Sequence, residues 1–282
     1  MTKIDEILSS IDKLPPFPQV AQRAMTALND PNSSARDLVK IIEYDQAITA
    51  GILRICNSAY FGLPAKIGSL QQAVAYVGSK TLMTIILASS ALKYFGGKTD
   101  GYDLGRGELW RHSVACALLS QILNRKSGGG EFQELFTAGL LHDIGKLVMS
   151  VYVEREFKRI YGLVRSAGYS FAEAEREILG IDHAEMGGRI ANLWNFPEPI
   201  ARCIELHHKP VEIPETDTIT PIIYLADMGC LFLGIGVGED GLMYRCYPEV
   251  LKRCGFTQRD FEFALKELHD DLSKAEEVIR MV

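Results

Sequence analysis

Apolar residues recur at helical spacing along nearly the whole chain, and the strict alternation of a half-buried strand is scarce. Ile4, Ile7, Leu8 and Ile11 form a first amphipathic pattern that Pro15, Pro16 and Pro18 stop. Val20, Ala24 and Leu28 repeat at i, i+4 and i+8, and Ser33 or Ser34 is placed to cap a helix through Leu38, Ile41 and Ile42. Further helices are expected over residues 46–57, 69–76 and 79–94, and then over 108–124, 132–151, 155–167, 171–179, 184–194, 198–208, 221–232 and 260–278. This is an all-α pattern, with helix lengths that suit a globular bundle better than a coiled coil. The loop from Gly96-Gly97 to Gly107 divides it into an N-terminal helical part, residues 1–95, and a second part, residues 96–282.

Composition narrows the function classes. Lys and Arg total 30 against 36 Asp and Glu, a formal charge of −6, which argues against a nucleic-acid coat held by clustered basic residues. The six cysteines (Cys56, Cys116, Cys203, Cys230, Cys246 and Cys254) are scattered and form no CxxC pair, and no signal peptide precedes them. They read as reduced thiols of a cytoplasmic protein. The longest apolar stretch, residues 221–238, is near the length of a membrane span, but it carries Asp227 and four glycines. A charge at mid-span costs about 2.5–3.5 kcal/mol, so no membrane association is expected and Asp227 needs another explanation.

The histidines supply one. Five of the six lie between positions 112 and 208. Glu108 and His112 are i, i+4 and share a helix face. His142 and Asp143 interrupt an apolar segment, Gly139 to Leu147, where an unpaired buried carboxylate would be costly and a metal ion would supply the missing charge. Lys146 lies on their face and can offset the charge of a bound anion. His183 sits at a helix start, His207 and His208 close another helix, and Asp227 repeats the anomaly of Asp143. Five imidazoles and three carboxylates suffice for two or three ions, and such a donor set suits Fe, Mn, Ni, Co or Zn without choosing among them. His269, among acidic residues near the C-terminus, is expected to be exposed.

His112, His142-Asp143 and Asp227 together resemble the H…HD…D signature of the HD superfamily of metal-dependent phosphohydrolases. The string His142-Asp143-Ile144-Gly145-Lys146 and the later His183 and His207-His208 resemble its HD-GYP branch, as does the spacing of Glu108 and His112. However, Lys209-Pro210-Val211-Glu212 follows His208 where that branch has a GYP loop, which speaks against cyclic di-GMP hydrolysis. The N-terminal half carries Leu14-Pro15-Pro16-Phe17-Pro18, Asn29-Asp30-Pro31, residues 41–47, residues 53–59 with Asn57-Ser58-Ala59, and residues 73–78. These segments resemble the HDOD domain, an HD-related output module of bacterial signalling proteins. The likeness runs from about residue 11 to about residue 211. It implies an HD-like helical bundle with an N-terminal HDOD subdomain.

The resemblance implies that His112, His142, Asp143 and Asp227 hold a first ion, with Asp143 the bridge. His183 and His207 bind a second, and Glu108 and His208 take a third or stand behind the others. Asp143 and Lys146 are the expected catalytic pair, with Lys146 on the phosphate. Two functions follow from it. One is a metal-dependent phosphohydrolase acting on a phosphoester or a (cyclic) nucleotide. The other is a non-catalytic signalling or scaffold module whose metal site is structural or regulatory and whose partner is a sensor kinase or cyclase.

Overall fold

The computed structural model describes residues 3–11, 14, 17–29, 34–95, 98–128, 133–238, 241 and 247–280. Among them the chain is helical, with one isolated bridge between Thr99 and Leu104. In chain order the helices are α1 (Lys3–Ser9), α2 (Gln19–Asn29), α3 (Ala35–Ile42), α4 (Gln46–Cys56), α5 (Leu70–Phe95), α6 (Glu108–Lys126) and α7 (Gln133–Leu141). They continue with α8 (Lys146–Ala167), α9 (Phe171–Leu179), α10 (His183–Leu193), α11 (Glu198–Leu206), α12 (Thr220–Phe232), α13 (Pro248–Arg253) and α14 (Gln258–Ile279). Two compact units emerge, residues 15–93 with 270–282, and residues 1–14 with 94–269.

In the first unit, Ser34 caps α3 in a capping box with Asp37, as one of the two expected serines; Ser33 lies outside the described residues. Asp45 caps α4 through the Ile48 amide at 3.0 Å. Asn57 explains its own segment: its amide donates to the Ile67 carbonyl at 2.9 Å and its oxygen accepts from the Ile67 amide at 2.7 Å, which closes the loop between α4 and α5. Tyr60 and Phe61 in that loop are half-buried and meet edge to face at 5.0 Å. The expected helices over 69–76 and 79–94 form α5, interrupted at Gly78 with φ 79° and ψ 163°, a conformation costly for any residue with a Cβ. By length and composition, Leu70–Ala91 in α5 could cross a membrane, but Gly78 breaks its hydrogen-bond ladder.

The second unit builds the site. α6 packs on α7 and α12, α10 on α11, and α8 on α9 and the 3-10 turn Asp100–Tyr102. α1 joins this unit, with Ile7 fully buried and the Glu6 carbonyl 3.4 Å from the Tyr152 hydroxyl of α8. The apolar stretch that reads like a membrane span is α12, a short helix buried from Thr220 through Cys230. Its start is fixed by Asp217, which accepts from the amides of Ile219 (2.9 Å) and Thr220 (3.0 Å), from the Thr220 hydroxyl (2.7 Å) and from Arg202 Nε (3.1 Å).

One expectation is corrected. A single helix over 132–151 with a break before 155 is replaced by a break at His142–Gly145 and an unbroken α8 from Lys146 to Ala167. The physical reason is Gly145, where the chain crosses the start of α10 so closely that a Cβ would lie 2.7 Å from the Gly187 amide nitrogen. His142 and Asp143 therefore occupy a turn and not a helix interior, held by the Ile144 amide on Leu141 O (2.9 Å) and the Lys146 amide on Asp143 O (3.0 Å). Likewise His207 and His208 lie in the turn just past α11.

Candidate metal centre

The turn after α7, the starts of α6 and α10, the turn after α11 and the middle of α12 converge on seven of the eight expected donors. His142, His183 and His207 are fully buried, Asp143 is 1% exposed and His112 and Asp227 are each 2% exposed. Ligand atoms of Asp143, His183, His207 and His208 lie within 4.8 Å of one another, and so do those of His112, His142 and Asp143. Asp143 belongs to both groups and shows each a different oxygen. Its Oδ2 is 3.7 Å from His112 Nε2 and 3.5 Å from His142 Nε2, while its Oδ1 is 3.6 Å from His183 Nε2 and 3.7 Å from His207 Nε2. Asp227 adjoins both, with Oδ1 3.0 Å from His112 Nε2 and 3.8 Å from His142 Nε2, and Oδ2 3.8 Å from His208 Nδ1.

Spacings of 3.5–3.8 Å are too long for hydrogen bonds. They are close to the separation of about 3.4 Å between two donors held tetrahedrally at about 2.1 Å from a shared ion. Four buried atoms of this centre, His142 Nε2, Asp143 Oδ1, His207 Nε2 and Asp227 Oδ2, have no hydrogen-bond partner among the described residues. Each such atom costs about 1–3 kcal/mol unless something satisfies it. Moreover, the far side of each ring fixes its tautomer. Nδ1 of His112, His142 and His207 faces the carbonyls of Ile235 (3.0 Å), Gly139 (2.7 Å) and Ile204 (2.7 Å). Carbonyls only accept, so each Nδ1 carries the proton, which leaves Nε2 of His142 and His207 as lone-pair atoms turned to the centre, while His112 Nε2 meets a second acceptor there, Asp227 Oδ1 at 3.0 Å. The donor set fits divalent cations.

Electrostatics agree with that fit. Burial works to raise the carboxyls of Asp143 and Asp227, but Lys146, His142, His207 and His183 around the first, and His112 and His142 around the second, hold both well below the usual carboxylate range. Burial lowers His207 and His208, the latter strongly, helped by the neighbouring imidazoles, which keeps both rings neutral donors. For His112, burial is outweighed by Asp227 and the ring is pushed up. Burial raises the thiols of Cys116, Cys203 and Cys230, and among the described residues no cysteine joins either converging group. The described cysteines are unpaired, as expected; Cys246 lies outside the described residues.

Two expected residues stand differently. Glu108 is four residues before His112, but its side chain is 42% exposed and faces Arg111 at 3.8 Å, apart from both converging groups. Lys146 is 3% exposed, with Nζ 2.8 Å from Asp143 Oδ2 and 5.4 Å from the centre of the Tyr102 ring. His269 is exposed on α14.

Sequence reasoning missed Glu175. This fully buried carboxylate accepts from the His183 ring at Nδ1 (2.6 Å), from the His183 amide (3.0 Å) and from the Tyr102 hydroxyl. Burial lowers His183, and Glu175 outweighs it, raising the ring. A signal was present: Phe171, Glu175 and Leu179 are spaced i, i+4, i+8 on the buried face of α9. His208 lines a cavity of about 460 Å³ together with Tyr169, Arg176, Lys209, Tyr224 and Tyr247.

The chain matches the family model described as the HDOD domain over residues 14–210. It is 25% identical to an HDOD domain protein of unknown function from Geobacter sulfurreducens, with a TM-score of 0.81, 99% of this chain and 98% of that chain covered. A Shewanella amazonensis structure described as a "putative phosphohydrolase" shares the fold, at 22% identity and a TM-score of 0.73, with 96% of this chain and 97% of that chain covered. An uncharacterized protein of Treponema pallidum (strain Nichols) is 27% identical over 220 residues, 74% of this chain. The chain spans 40% of that relative's length.

Proposed function

The chain belongs to the HDOD domain family, and from that premise and the bridging position of Asp143 we propose that it is a signalling protein with a two-ion His/Asp centre that hydrolyses a phosphoester or nucleotide. The observation that carries this reading is one carboxylate whose two oxygens face two groups of imidazole donors, with four buried donor atoms otherwise unsatisfied. His112, His142, Asp143 and Asp227 would hold one divalent ion, and Asp143, His183, His207 and His208 the other.

Such ions polarise phosphoryl oxygens and lower the pKa of a bound water toward neutrality. The chain's own residues do the rest. Asp143 and Asp227 stay ionised, so they remain anionic ligands at neutral pH. The carbonyls of Ile235, Gly139 and Ile204 hold three rings in the donor tautomer. Lys146 offsets part of the ligand charge through Asp143 and would meet a phosphoryl oxygen. His208 would meet a phosphoester from the cavity it lines, whose wall carries Arg176 and Lys209 alongside the carboxylates of Glu173, Glu177, Asp182 and Glu212.

One observation favours a second reading, in which the ions set conformation and the output is a contact with a sensor kinase or cyclase: the donors are almost wholly buried. Metal analysis of protein purified with and without air, followed by phosphate release from a panel of nucleotides, cyclic dinucleotides and simple phosphoesters, separates the two. Turnover by the wild type that Asp143→Ala abolishes supports hydrolysis. Stoichiometric metal with no turnover across the panel supports the second reading.

A further inference from the structure

The two halves of the centre are backed differently. Behind His112, His142 and His207 stand neutral backbone carbonyls, whereas behind His183 stands the carboxylate of Glu175. Glu175 has no exposed surface. Its Oε2 takes both the ring proton and the backbone amide of His183, and its Oε1 takes the Tyr102 hydroxyl. Tyr102 is itself fully buried, and its ring lies 5.4 Å from Lys146 Nζ, which holds Asp143 at 2.8 Å. A closed circuit of side chains, Asp143, His183, Glu175, Tyr102 and Lys146, thus surrounds the half that faces His207 and His208.

We infer that Glu175 is a positioning residue for the ion of that half: it fixes the His183 ring with Nε2 toward His208 Nε2 (2.9 Å) and Asp143 Oδ1 (3.6 Å) and makes that imidazole a stronger donor than its carbonyl-backed neighbours, and Tyr102 holds Glu175 in place. This rests on the two-ion reading above. The physical ground is that a carboxylate accepting an imidazole proton leaves more electron density on the opposite nitrogen than an amide carbonyl does, and residues in this relation change metal affinity by about 10–100-fold. Glu175 does not reach the centre itself, because His183 stands between them.

The test is titration of metal-free full-length protein with Co²⁺, followed by calorimetry and the visible spectrum. Long-range ¹H–¹⁵N spectra of the imidazoles are recorded alongside. Glu175→Gln keeps the shape and removes the charge. The expected result is two ions in the wild type and one of them bound about 10–100-fold more weakly in Glu175→Gln. The His183 nitrogen shifts move while those of His142 and His207 stay. Tyr102→Phe leaves the carboxylate and removes one hydrogen bond, so it weakens the same ion by a smaller factor, about 2–10-fold. It carries the test if Glu175→Gln does not fold. Two ions in the wild type with unchanged affinities and unchanged His183 shifts in a folded Glu175→Gln, or in Tyr102→Phe, would overturn the role of Glu175 alone. No Co²⁺ bound by the wild type would sink the two-ion reading itself.

Discussion

Gly145→Ala separates the crossing of α8 and α10 from every other feature of the centre. At φ −62° and ψ −27° this glycine is in ordinary helical space, so alanine carries no backbone strain. Without a clash it would stabilise the fold by about 0.4–1 kcal/mol by narrowing the unfolded ensemble. The structure reverses that sign. The added Cβ would overlap the His183 carbonyl oxygen outright and lie 2.7 Å from the Gly187 nitrogen and 2.8 Å from the His183 carbonyl carbon, against 3.4 Å for an ordinary contact. Clearing the Gly187 nitrogen alone takes a move of about 0.7 Å and clearing the His183 carbonyl oxygen takes more, and backbone atoms on α10 cannot swing aside as a side chain would. Overpacking of this kind costs about 1–3 kcal/mol, or about 2–12 °C in Tm for a chain of this size. A move of 0.7 Å directed away from α10 would lengthen the 3.6 Å between Asp143 Oδ1 and His183 Nε2 to about 4.3 Å. Two donors at about 2.1 Å from one ion can be no more than about 4.2 Å apart, so the shared ion is lost from that half. Thermal melts in chelator and Co²⁺ titration of the same preparation check both effects. A Gly145→Ala protein with a raised Tm and two tightly bound ions would refute the close-crossing argument.

Asp217→Asn tests the clasp on α12. Burial raises the Asp217 carboxyl, but the Thr220 hydroxyl, the Thr220 and Ile219 amides and Arg202 outweigh it, so the folded pKa lies below the unfolded value of about 3.9. A depressed carboxylate contributes stability that is present above the unfolded pKa and lost as pH falls through the folded one. The Tm gap between wild type and Asp217→Asn should therefore be widest near pH 6 and close below about pH 4; a gap that grows on acidification contradicts the assignment. Glu108→Ala should leave two ions bound, because its carboxylate is directed to Arg111, and elemental analysis showing one ion fewer would restore it as a ligand.

Most of the centre could be read from the sequence because its donors violate the pattern around them. Asp143 and Asp227 are carboxylates in apolar segments, and His207-His208 closes an amphipathic helix. Glu175 broke the pattern too, on the buried face of α9, but no neighbouring histidine marked it; its partners, Tyr102 and His183, are 73 and 8 residues away. Glu108 shows the opposite failure. Its i, i+4 spacing to His112 holds on α6, yet spacing fixes only the face of a helix, and the rotamer that turns it to Arg111 depends on the surroundings.

Local chemistry, carried by the order of residues, therefore determined the helices, their caps at Ser34, Asp45, Ser170 and Asp182, and the donor inventory. The tertiary structure decided which donors converge. Asp143 serves two groups because a turn, and not a helix, carries it, and that turn exists because the backbone at Gly145 passes against His183 and Gly187, residues distant in sequence. Hydrophobic periodicity reports which face is buried. It does not report which two buried faces meet, and the separation of a few ångströms between them is what makes six imidazole and carboxylate side chains with His208 a candidate metal centre.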